Sequence, residues 1–191
     1  VQTGTVQSAY PTQQYSQLAA SGYVVAQRRA AVSSKATGRL VELNVREGSV
    51  VKKGDLLARL DAADVSANLA VSIAAVRQSE AAAKQAESNL KLAQSQQANA
   101  DDELKRALAL AAQGFLSPQA VDTVQTRARS AAASTAAAQA AVATAQAGSA
   151  QARAQVTVQQ VNKDSTEIRA PFDGVVLLKN ANVGDLITPF S

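Results

Sequence analysis

The sequence predicts an α+β fold in which a small β-domain is cut in two and a long antiparallel two-helix coiled-coil hairpin is inserted between the halves. Three observations predict it. Residues 37–61 carry short alternating apolar runs broken by Gly38, Gly48 and Gly54, residues 168–187 return to the same vocabulary, and residues 65–161 between them are alanine-rich with a heptad period.

The first half reads as a compact sheet of short strands. In the second, Ile168-Arg169-Ala170-Pro171-Phe172-Asp173-Gly174-Val175-Val176 is followed by Val183-Gly184-Asp185-Leu186-Ile187, and Gly184-Asp185-Leu186-Ile187 echoes Gly54-Asp55-Leu56-Leu57. Neither stretch is long enough to cover both faces of its own strands, so the two halves are expected to pack as one domain. The domain boundaries expected are 33–62 for the first half, 63–163 for the hairpin with its tip near 113–118, and 164–191 for the second half.

In the first arm of the hairpin a seam steps alternately by four and three residues through Val65, Leu69, Ser72, Val76, Ser79, Ala83, Ala86, Leu90, Ala93, Gln97, Ala100, Leu104, Ala107 and Ala111. The second arm repeats the stepping through Val121, Val124, Ala128, Ala131, Thr135, Ala138, Val142, Ala145, Ser149, Ala152 and Val156. Two matching stripes joined by a short break form an antiparallel coiled coil. The break is Gly114-Phe115-Leu116-Ser117-Pro118: Gly114 suits the end of the first helix, Ser117 caps the second, and Pro118 takes its first position. At 1.5 Å per residue, arms of roughly 45 residues reach about 65–70 Å.

A seam of alanine and serine lets the helices approach closely but buries little apolar area in each layer. Helix propensity supplies part of the stability, and the pairs Glu80 with Lys84 and Glu87 with Lys91 are expected to add a few tenths of a kcal/mol each. The second arm is almost uncharged, so its long small-residue face is expected to pack against neighbours rather than stand solvated. Bending is expected at Gly148-Ser149.

Composition narrows the function classes. The 191 residues include no Cys, His, Met or Trp, which excludes zinc sites built on His and Cys, thiol chemistry, histidine general bases and c-type haem attachment from this segment. With about half the chain in the hairpin, a large enclosed active site is not expected. The net charge of +4 is mild, and the Lys and Arg residues are scattered without aromatic platforms, so no nucleic-acid partner is expected. No stretch is long and apolar enough to span a membrane. Because Val1 opens a chain without methionine, a processed or excised segment is expected, with any signal or membrane anchor upstream.

The split, glycine-rich β-domain of the biotinyl/lipoyl type, interrupted by a helical hairpin, resembles the periplasmic adaptor proteins, or membrane fusion proteins, of Gram-negative tripartite efflux and secretion systems. The resemblance covers roughly residues 33–191 and rests on both half-motifs standing in order around the hairpin. It extends to the tip, where the family often places an arginine, a leucine four residues later and a serine seven after that. Here these are Arg106, Leu110 and Ser117, with Asp122 where an acidic residue often follows.

What the resemblance implies is a non-enzymatic subunit without cofactor, located in the periplasm and anchored to the inner membrane by a segment outside this sequence. It implies a ring, a hexamer in the family, whose hairpin tips dock through Arg106, Leu110, Ser117 and Asp122 onto a TolC-like outer-membrane channel, forming a sealed conduit. Energy would come from an inner-membrane RND antiporter or ABC transporter. It also implies that residues 1–32, with alternating stretches at 1–6 and 22–27, are partial strands of a flanking β-barrel or membrane-proximal region. Local readings stand beside these roles: Arg106 is spaced to pair with Asp102, and Ser117 is a helix cap. Two other functions fit parts of the pattern. One is a structural coiled-coil tether without a channel partner. The other is a biotinyl or lipoyl carrier, although the hairpin occupies the place where a carrier keeps its modified lysine turn.

Overall fold

A computed structural model of the chain describes residues 22–23 and 28–189. Most of the strand pattern expected over residues 1–32 lies outside the described residues, and residues 22–23 and 28–32 carry no strand. Residues 32–191 group as one compact unit.

That unit contains β1 (Gly38–Leu43), β2 (Val50–Val51), β3 (Leu56–Leu60), α1 (Ala63–Ala112), α2 (Pro118–Asp164), β4 (Glu167–Arg169), β5 (Gly174–Val175) and β6 (Leu186–Ile187). A four-stranded sheet has the order β4-β3-β1-β6, and β2 pairs with β5 in a second, two-stranded sheet. All pairings are antiparallel. The pairs β3–β4, β1–β6 and β2–β5 each join a strand that precedes the hairpin to one that follows it. The β-domain is therefore split in sequence and continuous in space.

The Gly-Asp echo is a repeated turn with a reciprocal grip. Gly54 and Gly184 both adopt positive φ, +88° and +99°, where a side chain would be strained. Each following aspartate accepts the backbone N–H three residues before it: Lys52 N–H donates to Asp55 Oδ2 at 2.9 Å and Asn182 N–H to Asp185 Oδ2 at 2.8 Å. The turn of each half then holds a buried residue of the other. Gly54 N–H donates to the Ala170 carbonyl at 2.9 Å, and Ala170 N–H to the Asp55 carbonyl at 3.0 Å. Likewise Gly184 N–H donates to the Leu40 carbonyl at 2.8 Å, and Leu40 N–H to the Asp185 carbonyl at 2.9 Å.

The core between these turns is small. Leu40, Ala58, Leu60 and Ile187 are buried, with Ala36, Leu43, Ile168 and Ala181 packed against them. Leu40 and Leu60 are register partners across β1 and β3 and the largest fully buried side chains. Burial of each contributes about 1.5–3 kcal/mol, so loss of either would remove a large part of the domain's apolar stabilisation.

Both helices root on adjacent strands. β3 ends at Leu60, and Asp61 Oδ1 accepts the Ala63 N–H at 3.1 Å, replacing the side-chain cap that Ala62 cannot supply. On the return, Ser165 Oγ donates to the Val161 carbonyl and Thr166 Oγ1 to that of Lys163, satisfying open carbonyls at the end of α2. Leu60 N–H then donates to the Thr166 carbonyl at 2.8 Å, so the hairpin is closed at its base by a strand-to-strand bond.

Along the hairpin, every residue of the two predicted stripes is buried or half-buried. The arms come close enough for Thr135 Oγ1 on α2 to donate to the Ala93 carbonyl of α1 at 3.1 Å. Charge pairing departs from the local expectation. Glu80 meets Arg153 of the opposite arm at 2.9 Å rather than Lys84, and Glu103 meets Arg127 at 2.8 Å, while Glu87–Lys91 is absent from the ion pairs of the described residues. An alanine seam leaves the arms near enough for the long, forked arginine side chain to cross it. These pairs are largely exposed, so each is worth at most about 1 kcal/mol. α2 runs without interruption through Gly148-Ser149.

Opposite signs are expected for two kinds of glycine replacement. Gly54→Ala and Gly184→Ala should each destabilise the chain by about 1–2 kcal/mol, because alanine is strained at positive φ. Gly148→Ala, in α2 with open space around the added methyl, should stabilise it by about 0.5–1 kcal/mol. Urea unfolding followed by circular dichroism measures all three.

Candidate functional site

Chemistry-bearing groups do not converge in the described part of the chain. Among the described residues no group of three or more carboxylates is arranged to hold a metal ion. An open cleft of about 470 Å³ on the side of the hairpin is lined by Glu80, Lys84, Glu87, Gln146, Ser149 and Arg153. Ser149 is 4% exposed there and its Oγ has no hydrogen-bond partner among the described residues. The only acid–base contact across this cleft is the Glu80–Arg153 pair.

The site residues predicted from the sequence stand at the other extreme, around the free end of the hairpin. α1 ends in a Schellman motif: Gly114, at φ +81°, donates to the Ala111 carbonyl at 3.0 Å, and Phe115 N–H to that of Leu110 at 3.0 Å. Ser117 then opens α2, its Oγ accepting the Ala120 N–H at 3.2 Å, with Pro118 as the first helical residue. Five residues thus reverse the chain while the Leu110 and Ala111 carbonyls of α1 and the Ala120 N–H of α2 keep partners. The Glu103–Arg127 pair bridges the arms just below.

Arg106 and Leu110 lie one helical turn apart on the same face of α1, beside the seam. Both are exposed, Leu110 at 46%. Asp102 does not pair with Arg106, and among the described residues no carboxylate lies within 4.0 Å of the Arg106 guanidinium. Asp122 is exposed on the second turn of α2. The four residues share the tip without a hydrogen bond or ion pair joining any two of them among the described residues. Ser117 differs from the rest because its oxygen already serves the fold.

One tip residue had no role in the sequence reading. Phe115 is 75% exposed, whereas its neighbour Leu116 is half-buried. The available signal was an aromatic residue between a helix-ending glycine and a helix-capping serine, where neither cap requires one.

A β-domain whose halves hold each other around an extruded helical hairpin, with free polar and apolar side chains at its tip, has the layout of a membrane fusion protein. Residues 28–189 match the family described as "RND MFP, barrel-sandwich hybrid domain", and the chain belongs to that family. It is 31% identical over 177 residues to the multidrug resistance protein MdtN of Shigella flexneri, covering 80% of this chain and 52% of that protein. It is 32% identical over 167 residues to the multidrug resistance protein MdtA of Klebsiella pneumoniae, covering 87% of this chain and 34% of that protein. The crystal structure of MacA from Actinobacillus actinomycetemcomitans superposes with a TM-score of 0.67 at 26% identity, over 85% of this chain and 46% of that one. The chain therefore spans about half the length of MdtN and about a third of MdtA.

The cap geometry makes Ser117 separable from its neighbours. Ser117→Ala should destabilise the hairpin by about 1 kcal/mol, and Ser117→Asp, which retains a capping oxygen, by no more than a few tenths. Thermal and urea unfolding check both values.

Proposed function

We propose that this chain is the hairpin-bearing part of a periplasmic adaptor subunit of a tripartite efflux system. In this reading it links an inner-membrane transporter to a TolC-like outer-membrane channel and forms part of a sealed conduit. Membership of the membrane fusion protein family supports the reading, as do the relatives MdtN and MdtA, both multidrug resistance proteins. Of the two transporter classes expected, the family description names RND, which supports an RND antiporter over an ABC transporter.

The observation that carries the docking role is the pair of side chains of Arg106 and Leu110: exposed, adjacent on one helical face, and without a hydrogen bond or ion pair among the described residues. An arginine with no ion pair among the described residues is available to a carboxylate or carbonyl of another chain. Its apolar neighbour supplies area that association can remove from water. Ser117 and Asp122 complete the proposed surface, Ser117 chiefly by holding the turn.

The subunit itself carries out no reaction in this reading. Its contribution is mechanical: several hairpins side by side present their tips as a ring, proposed as a hexamer, and the transporter supplies the energy. The protein is placed in the periplasm and held at the inner membrane by a part of the protein beyond this sequence.

In the full-length protein, Arg106→Asp or Leu110→Asp should leave the helical circular dichroism signal unchanged while abolishing cross-linking to the channel and export. Unchanged export by both variants would remove the docking role and favour a coiled-coil tether. Intact mass measurement addresses the carrier function separately: the expected mass is that of the unmodified chain, and a biotinyl or lipoyl adduct on a lysine would overturn the adaptor reading.

A further inference from the structure

We infer that Phe115 is an apolar anchor of the hairpin, seating in a concave apolar site on the channel protein. The inference rests on the docking reading above and adds to it a residue outside the Arg106, Leu110 and Ser117 pattern.

Three features of the tip carry it. First, the loop divides its two large apolar residues between opposite tasks. Leu116 is half-buried, while Phe115 is 75% exposed and contributes little burial to the fold. Second, the backbone of Phe115 is held in place before any partner arrives. Its N–H is bonded to the Leu110 carbonyl, Gly114 before it closes the Schellman turn, and Ser117 after it caps α2. The backbone part of the ordering cost that usually offsets the burial of a loop side chain has therefore been met within the fold. Third, Phe115 adjoins the proposed docking surface, since the residue that accepts its N–H is Leu110.

The same geometry selects the occupant. The turn closes on the Leu110 and Ala111 carbonyls and the Ala120 N–H and carries no strand, so the loop offers no strand edge and recognition falls chiefly to side chains. A convex turn bearing one aromatic ring fits a concave apolar seat, and Arg106 beside it calls for an acceptor on the rim of that seat. A bilayer is the other surface that takes an exposed aromatic, but it favours clustered basic charge. Here Lys105 and Arg106 are offset by Asp101 and Asp102 on α1 and Asp122 on α2. The mixed charge matches a protein surface.

The test measures binding of the full-length protein to a purified TolC-like outer-membrane channel, for wild type, Phe115→Ala, Phe115→Leu and Arg106→Asp, with helix content followed by circular dichroism. Phe115→Ala should weaken binding about tenfold or more, the loss on removing one buried aromatic anchor. Phe115→Leu should fall between it and wild type. Wild-type binding by Phe115→Ala alongside loss in Arg106→Asp overturns the anchor and leaves the docking reading standing. No binding by wild type, or equal binding by wild type and Arg106→Asp, overturns the docking reading and the anchor with it. Phe115-dependent sedimentation with phosphatidylglycerol and phosphatidylethanolamine vesicles, without an effect on the channel, assigns the residue to a bilayer and overturns the inference.

Discussion

The reciprocal grip between the two Gly-Asp turns is the constraint on which the remainder of the fold depends. Each turn uses a positive-φ glycine and an aspartate carboxylate to present one N–H and one carbonyl to a buried residue of the other half. Leu40 is held by the second half and Ala170 by the first, so neither half can satisfy its own interior backbone. A buried backbone group without a partner costs about 1–3 kcal/mol, and the small core has little with which to offset that. The chain must therefore leave the domain and come back to it. It does so through β3 and β4, which are neighbours in the sheet and so about 4.8 Å apart.

That spacing bears on the composition of the hairpin. Two helices rooted on adjacent strands start closer together than the 8–10 Å at which helices ordinarily pack, and large side chains in the seam would force them to splay. Alanine and serine let the arms stay near each other, as the Thr135 hydroxyl bonded to the Ala93 carbonyl records. The cost is a seam with few distinguishing features, in which one heptad resembles the next. Register is set instead by the closed base at Leu60 and Thr166, by the five-residue turn at the tip, and by Glu80–Arg153 and Glu103–Arg127 between them. Individually weak, exposed pairs are of use here because each is met only when the arms are correctly aligned.

The properties most legible in the sequence are those governed by local periodicity and cap chemistry. Every residue that the heptad stepping named is buried or half-buried, since helical period alone decides which side chains face a partner of the same kind. Gly114, Ser117 and Pro118 each carry a residue-specific reason for their place. The Gly54–Gly184 echo indicated a repeated element, but the exchange of partners between halves is a tertiary relation that no local pattern encodes. The ion pairs were misassigned for a related reason: the i, i+4 rule sees Lys84 four residues from Glu80 but not Arg153 across the seam. At the tip, the spacing of Arg106, Leu110 and Ser117 was readable. That Ser117 is engaged, that Arg106 is free of Asp102, and that Phe115 rather than Leu116 points to solvent depend on how the turn closes.

This division of labour explains why recognition is best sought at the tip. In the seam, side chains are committed to keeping the arms together, and in the β-domain the turns are committed to the opposite half. A residue can serve a partner only to the extent that folding has not claimed it. Ser117 shows the limit: its oxygen accepts the Ala120 N–H, so a partner could use only its remaining lone pair and hydroxyl proton, at the risk of loosening the cap. Arg106 and Leu110 face no such conflict, and neither does Phe115. The closed turn holds their backbone while leaving their side chains unspent, which is the condition under which a rigid arm of alanine can carry a specific contact tens of ångströms (about 1.5 Å for each residue of helix) from the domain that anchors it.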